Sequence, residues 1–101
     1  MPNLYYIEYG CSIYSEHLIV SAKSKEDAEH YAYISAQDVW YSYDYNMIDP
    51  EDYPDASEEE LVEIEGEEME RDIHYYAEPF DSENEEHAET LKEQNNKPFE
   101  V

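Results

Sequence analysis

Leu4-Tyr5-Tyr6-Ile7-Glu8-Tyr9 is an aromatic and β-branched run closed by Gly10, which predicts a strand. Glu16-His17-Leu18-Ile19-Val20-Ser21-Ala22 is a second apolar run of strand length, so Gly10 to Ser15 reads as the connection of an antiparallel hairpin. The period then changes. Ser24 stands three residues before Asp27, the spacing of a helix N-cap with an acid in the first turn. Ala28, Tyr31, Ala32, Ser35, Val39 and Tyr43 recur at steps of three and four, predicting an amphipathic helix over 25–42.

Pro50 and Pro54 forbid helix through 44–56, which reads as a loop. Leu61-Val62-Glu63-Ile64-Glu65 alternates with period two and Gly66 reads as a turn. Residues 69–77 alternate again around Ile73, Tyr75 and Ala77. These features predict a third and a fourth strand. The rival reading is one glutamate-rich helix over 57–71, since glutamate is a good helix former; Gly66 and the β-branched pair favour strands. Beyond Pro79 the chain is polar, with Leu91 almost its only large apolar residue, and reads as an acidic, mobile or weakly helical tail. The expected fold is therefore α+β: a small antiparallel sheet with one packed helix, in the order β-β-α-β-β, as a single domain over 1–80, with the tail over 81–101.

Charge changes this picture more than any motif does. Among 101 residues there are 28 acids and five Lys or Arg, a formal −23. Disorder does not follow, because 15% of the chain is aromatic and twelve residues are tyrosine. The charge is also uneven: residues 1–43 hold six acids and two lysines, whereas 44–101 hold 22 acids and three bases. A net charge of only about 2–8 serves solubility in a small domain, and a larger excess destabilises the compact state by self-repulsion. Such asymmetry points to a basic protein partner. It repels nucleic acid and anionic membranes, so neither is expected to bind directly.

Catalytic and metal chemistry find little purchase. With 28 acids, carboxylate pairs arise by chance, and Cys11 with His17, His30, His74 and His87 shows no nucleophile motif. Residues 49–60 are carboxylate-dense but lack EF-hand spacing. The expectation is no enzyme, no cofactor and no dedicated metal site. One cysteine, no membrane-length apolar run and no signal-peptide pattern at the N-terminus suggest a cytoplasmic protein, monomeric or homodimeric.

The expected partner-binding residues are Asp44, Asp49, Glu51, Asp52, Asp55, Glu58, Glu59, Glu60, Glu63, Glu65, Glu67, Glu68 and Glu70, with Tyr41, Tyr43, Tyr45 and Tyr53 as aromatic anchors. On a strand, Glu63, Glu65 and Glu67 would form a line of charge at about 6.6 Å intervals. On the Asp44–Asp72 run and its interleaved tyrosines, under half the chain, the sequence resembles the acidic inhibitors that phages and mobile elements use against restriction, CRISPR or DNA-repair enzymes. That class is defined by charge rather than by a motif, so it transfers no individual residue role. The resemblance implies a DNA mimic, acting in the host cytoplasm if phage-encoded, that blocks the basic DNA- or RNA-binding site of a host enzyme, polymerase included. The alternatives are an acidic adaptor or chaperone for a basic protein, and an ordinary acidic domain with another role.

Overall fold

A computed structural model describes residues 3–42 and 49–101. The first two apolar runs become β1 (Asn3–Cys11) and β2 (Tyr14–Ala22). They pair antiparallel from Asn3↔Ala22 to Cys11↔Tyr14, leaving Ser12 and Ile13 as a two-residue connection. So tight a reversal presses the returning backbone onto Gly10. A Cβ there would lie 2.2 Å from the Tyr14 carbonyl oxygen and 2.7 Å from Ser15 Cα.

Alternation gives the hairpin two different faces. Tyr5, Ile7, Val20 and Ala22 turn to one side and meet α1 (Lys25–Tyr41). That helix is capped by the Ser24 hydroxyl, which accepts from the Asp27 N–H at 3.2 Å. Ala28, Ala32 and Ala36 are fully buried and, with Trp40, follow one another at steps of four. The small alanines let the helix backbone lie close to the sheet, and Trp40 fills the space at its far end. The helix expected over 25–42 is thus present at nearly its expected bounds.

The second acidic region departs from expectation. Residues 61–65 are not a strand and Gly66 is not a turn: both lie inside α2 (Glu58–Asp72). The physical reason lies in the local chemistry. The Ser57 hydroxyl caps the helix by accepting from Glu60 N–H at 3.2 Å, and Glu58, Glu59 and Glu60 occupy the first turn, where the helix dipole favours acids. Leu61, Ile64, Glu65, Glu68 and Met69 then make the less exposed side, a pattern with the period of a helix rather than of a strand. The short alternation at 61–65 is too brief to outweigh this. An interior glycine costs only about 1 kcal/mol, and Gly66 is absorbed.

The strand expected within 69–77 begins later, as β3 (His74–Pro79), and pairs antiparallel with β1 from Gly10↔His74 to Tyr5↔Pro79. Ala77 completes the core beneath α1.

The residues expected to trail as a tail return to the sheet instead. α3 (Glu85–Glu93) lays His87, 2% exposed, against the second face, where its ring stacks on buried Tyr6 at 4.3 Å. The Gln94 side chain then completes the edge of β2: its Oε1 accepts from Ile19 N–H at 2.7 Å and its Nε2 donates to the Ile19 carbonyl at 3.0 Å. Asn95 and Asn96 take left-handed conformations, with φ near 60°, and reverse the chain. β4 (Phe99–Glu100) follows, parallel to β2. The hydropathy of 81–101 gave no sign of this, because polar groups make the contacts.

The sheet order is β3-β1-β2-β4, so the sheet is mixed rather than purely antiparallel, and the described residues contain three α-helices rather than one. The class remains α+β.

The two glycines give opposite expectations. Gly10→Ala forces the hairpin backbone apart and should destabilise by about 2 kcal/mol or more. At Gly66 a Cβ would meet nothing within 4 Å, so Gly66→Ala should stabilise by about 1 kcal/mol. Urea midpoints of the two variants measure both signs; a destabilised Gly66→Ala would contradict the helix.

Candidate partner-binding surface

α2 touches the body of the protein mainly at its C-terminal end. There Met69 is buried with Cys11 and Trp40, and Val39 and Ile73 pack around them. Tyr33, on α1, donates a hydrogen bond to Glu70, which is the first cause of its raised phenol pKa, with desolvation second. Towards its start the helix is open: Glu58 to Glu60 are exposed, and so is Val62.

The helix carries nine acids, Glu58, Glu59, Glu60, Glu63, Glu65, Glu67, Glu68, Glu70 and Asp72, against one base, Arg71. Arg71 is spent locally, bonding Glu68 at 2.8 Å in an exposed pair worth little. The line Glu63-Glu65-Glu67 expected of a strand does not exist here. At about 100° per residue, Glu65 turns away from Glu63 and Glu67. A different line takes its place: Glu59, Glu63, Glu67 and Glu70 stand at steps of four, four and three, all exposed. Their rises are about 6, 6 and 4.5 Å along the axis.

The remaining expected residues fall as follows. Asp49 caps the 3-10 turn Pro50–Asp52, its carboxylate accepting from Glu51 N–H at 2.9 Å. Glu51, Asp52, Tyr53 and Asp55 are exposed in the approach to α2. Tyr41 stands at the end of α1, edge-on to Trp40 at 5.0 Å. Tyr43, Asp44 and Tyr45 lie outside the described residues. Beside the carboxylate line is an open depression of about 740 Å³, lined by Glu63, Gly66, Glu67, Met69, Glu70 and Arg71. Gly66, with no side chain, leaves the floor of this depression open between carboxylates, and the buried Met69 lies beneath it.

A second polar assembly, on the sheet face away from α1, was not anticipated. Tyr6 is buried, yet its hydroxyl donates to Glu86 at 2.9 Å and lies 3.2 Å from His17 Nδ1. Burial first, and then the Glu86 bond, raise the Tyr6 pKa far above its ordinary value. Tyr76 is raised by burial first, and then by the negative charge of Glu8. Next to them His87 Nδ1 accepts from Asp81 N–H at 3.0 Å, so Nε2 carries the proton and donates to Glu78 at 2.7 Å. The only trace of this in sequence is Glu8 interrupting an aromatic strand. The partners on β2 and α3 come from register and docking, not from spacing.

The like-charge pairs of α2 carry a cost. Glu59/Glu63, Glu63/Glu67 and Glu68/Asp72 at four residues, with Glu60/Glu63, Glu65/Glu68 and Glu67/Glu70 at three, together destabilise by about 1–3 kcal/mol at low salt. The double change Glu63→Gln and Glu67→Gln should therefore stabilise the protein by about 1 kcal/mol in dilute buffer. The gain should shrink as sodium chloride is raised. Urea midpoints at low and high ionic strength measure it; a loss of stability would mean that these carboxylates serve the fold.

Comparison with protein-family models, curated proteins and solved structures finds no match for this chain, leaving geometry and charge as the grounds for a function.

Proposed function

We propose that the protein is an acidic inhibitor that occupies the basic nucleic-acid-binding site of another protein, offering α2 in place of a phosphate backbone. The observation that carries this reading is charge density. Fifteen residues of helix span about 22 Å, and nine acids against one arginine place one net charge about every 3 Å along it. Duplex DNA carries one per about 1.7 Å counting both strands, or about 3.4 Å per strand. A groove built to neutralise phosphates meets a comparable density on α2, and the same field steers the encounter.

The attachment of α2 supports the same use. Held by Met69 and Ile73 at one end, it presents Glu59, Glu63 and Glu67 outward along its length, with Glu70 exposed at the edge and bonded to Tyr33. The open depression beside Gly66 suits the aliphatic stem of an arginine or lysine whose head group bonds the flanking glutamates. Exposed Tyr41 and Tyr53 offer faces for guanidinium contact. Among the described residues no helix is long and apolar enough to cross a membrane.

The test is competition against labelled duplex DNA for a panel of nucleases, repair enzymes and polymerases at about 0.15 M salt. At least one should lose its DNA to the protein. Changing Glu59, Glu63, Glu67 and Glu70 to Gln should weaken that competition about 10–100-fold. The same number of changes at Asp38, Glu83, Glu89 and Glu93 should weaken it several-fold less. Equal loss from both sets, or equal binding to unstructured basic peptides, would overturn mimicry in favour of a general acidic adaptor.

A further inference from the structure

Glu8 on β1, His17 on β2 and Glu86 on α3 each offer one ligand atom, and these atoms lie within 4.8 Å of one another. Two of the three are fixed by strand register, since Glu8 and His17 are directly opposite in the β1–β2 ladder and so share a face. The third arrives because α3 docks on that face, with His87 stacked on Tyr6 one residue after Glu86. Three elements thus converge on one point.

Two carboxylates alone would mean nothing in so acidic a chain. What distinguishes this trio is the imidazole between them and the Tyr6 phenol behind them. The fully buried Tyr6 directs its hydroxyl out of the core onto both Glu86 and His17. Ligands oriented by outer hydrogen bonds are the usual construction of a metal centre. Opposing this, the two carboxylates repel each other, and no Lys or Arg is ion-paired with either among the described residues. A divalent cation removes that repulsion and leaves the trio neutral.

We propose that Glu8, His17 and Glu86 form a binding site for one divalent transition-metal ion of the zinc type. One nitrogen and two carboxylate oxygens favour Zn²⁺ or Co²⁺ over Mg²⁺ and Ca²⁺, which prefer all-oxygen shells. Zinc bonds of about 2.0–2.2 Å need ligand atoms about 3.3–3.5 Å apart. With ligand atoms within 4.8 Å of one another, binding would draw them together by up to about 1.5 Å, which the exposed Glu86 and His17 side chains permit. With three protein ligands a fourth position remains for water, and Tyr6 holds Glu86 and His17 in place as a positioning residue. The site lies on the opposite face of the sheet from α1 and does not depend on the partner proposed above.

The test uses the whole chain and the metal alone, in about 0.15 M salt with excess Mg²⁺ to suppress loose condensation on the acidic surface. Calorimetry with Zn²⁺ should give one saturable site, and Co²⁺ should give the visible absorption of a low-coordinate ion. His17→Ala and Glu86→Gln change exposed side chains, and each should weaken binding at least 10-fold while far-ultraviolet circular dichroism stays unchanged. Tyr6→Phe should weaken it about 10–100-fold, as outer-shell losses do. His30→Ala, exposed on α1, should bind as the wild type does. Absence of a saturable site, or the same isotherm for wild type and His17→Ala, overturns the proposal.

Discussion

Cys11 from the end of the hairpin, Trp40 from the last turn of α1 and Met69 from the last turns of α2 close on one another in a small apolar junction. Everything distinctive about the molecule depends on that contact. α2 is charged along nearly its whole length and has little apolar surface with which to hold itself to the sheet. Burying a Trp and a Met contributes about 1.5–3 kcal/mol each, against like-charge repulsion of about 1–3 kcal/mol within the helix. The junction therefore supports a helix that its own side chains oppose, and does so from one end, leaving the rest of the carboxylate line in water.

The core under α1 supplies the stiffness this needs. Fully buried alanines draw the helix onto Ile7 and Val20, and the hairpin keeps its register through the close approach at Gly10. On the other side of the sheet the chemistry is polar. Tyr6, His87, Glu78 and Glu86 form a bonded set, and the Gln94 amide pairs with β2 as a neighbouring strand would. One sheet thus has an apolar face that sets the fold and a polar face that anchors the C-terminal segment.

How far this was legible follows from which forces left a local trace. The hairpin and α1 were readable because their burial left a local pattern: aromatic and β-branched runs at Leu4–Tyr9 and Leu18–Val20, and steps of three and four along Ala28, Tyr31, Ala32, Ser35 and Val39. α2 was readable only as a rival. Five alternating residues imitate a strand, and the decisive signals, the Ser57 cap and acids in the first turn, lie upstream of them. β4 and the docking of α3 left no local trace, since a glutamine and a histidine do the work of apolar residues. Of the candidate surface, the charge was legible by counting, whereas its geometry was not. The strand reading aligned Glu63 with Glu65; the helix aligns Glu63 with Glu59 and Glu67.

The claim that a helix displays these charges is tested most directly by backbone chemical shifts of the free protein in solution. Helical Cα shifts are expected to run without a break from Glu58 through Gly66 to Asp72, with the slowest amide exchange in the last turns beside Met69. Extended shifts at 61–65 with a turn at Gly66 would contradict it, restoring a different line of carboxylates and removing the basis for the proposed interface.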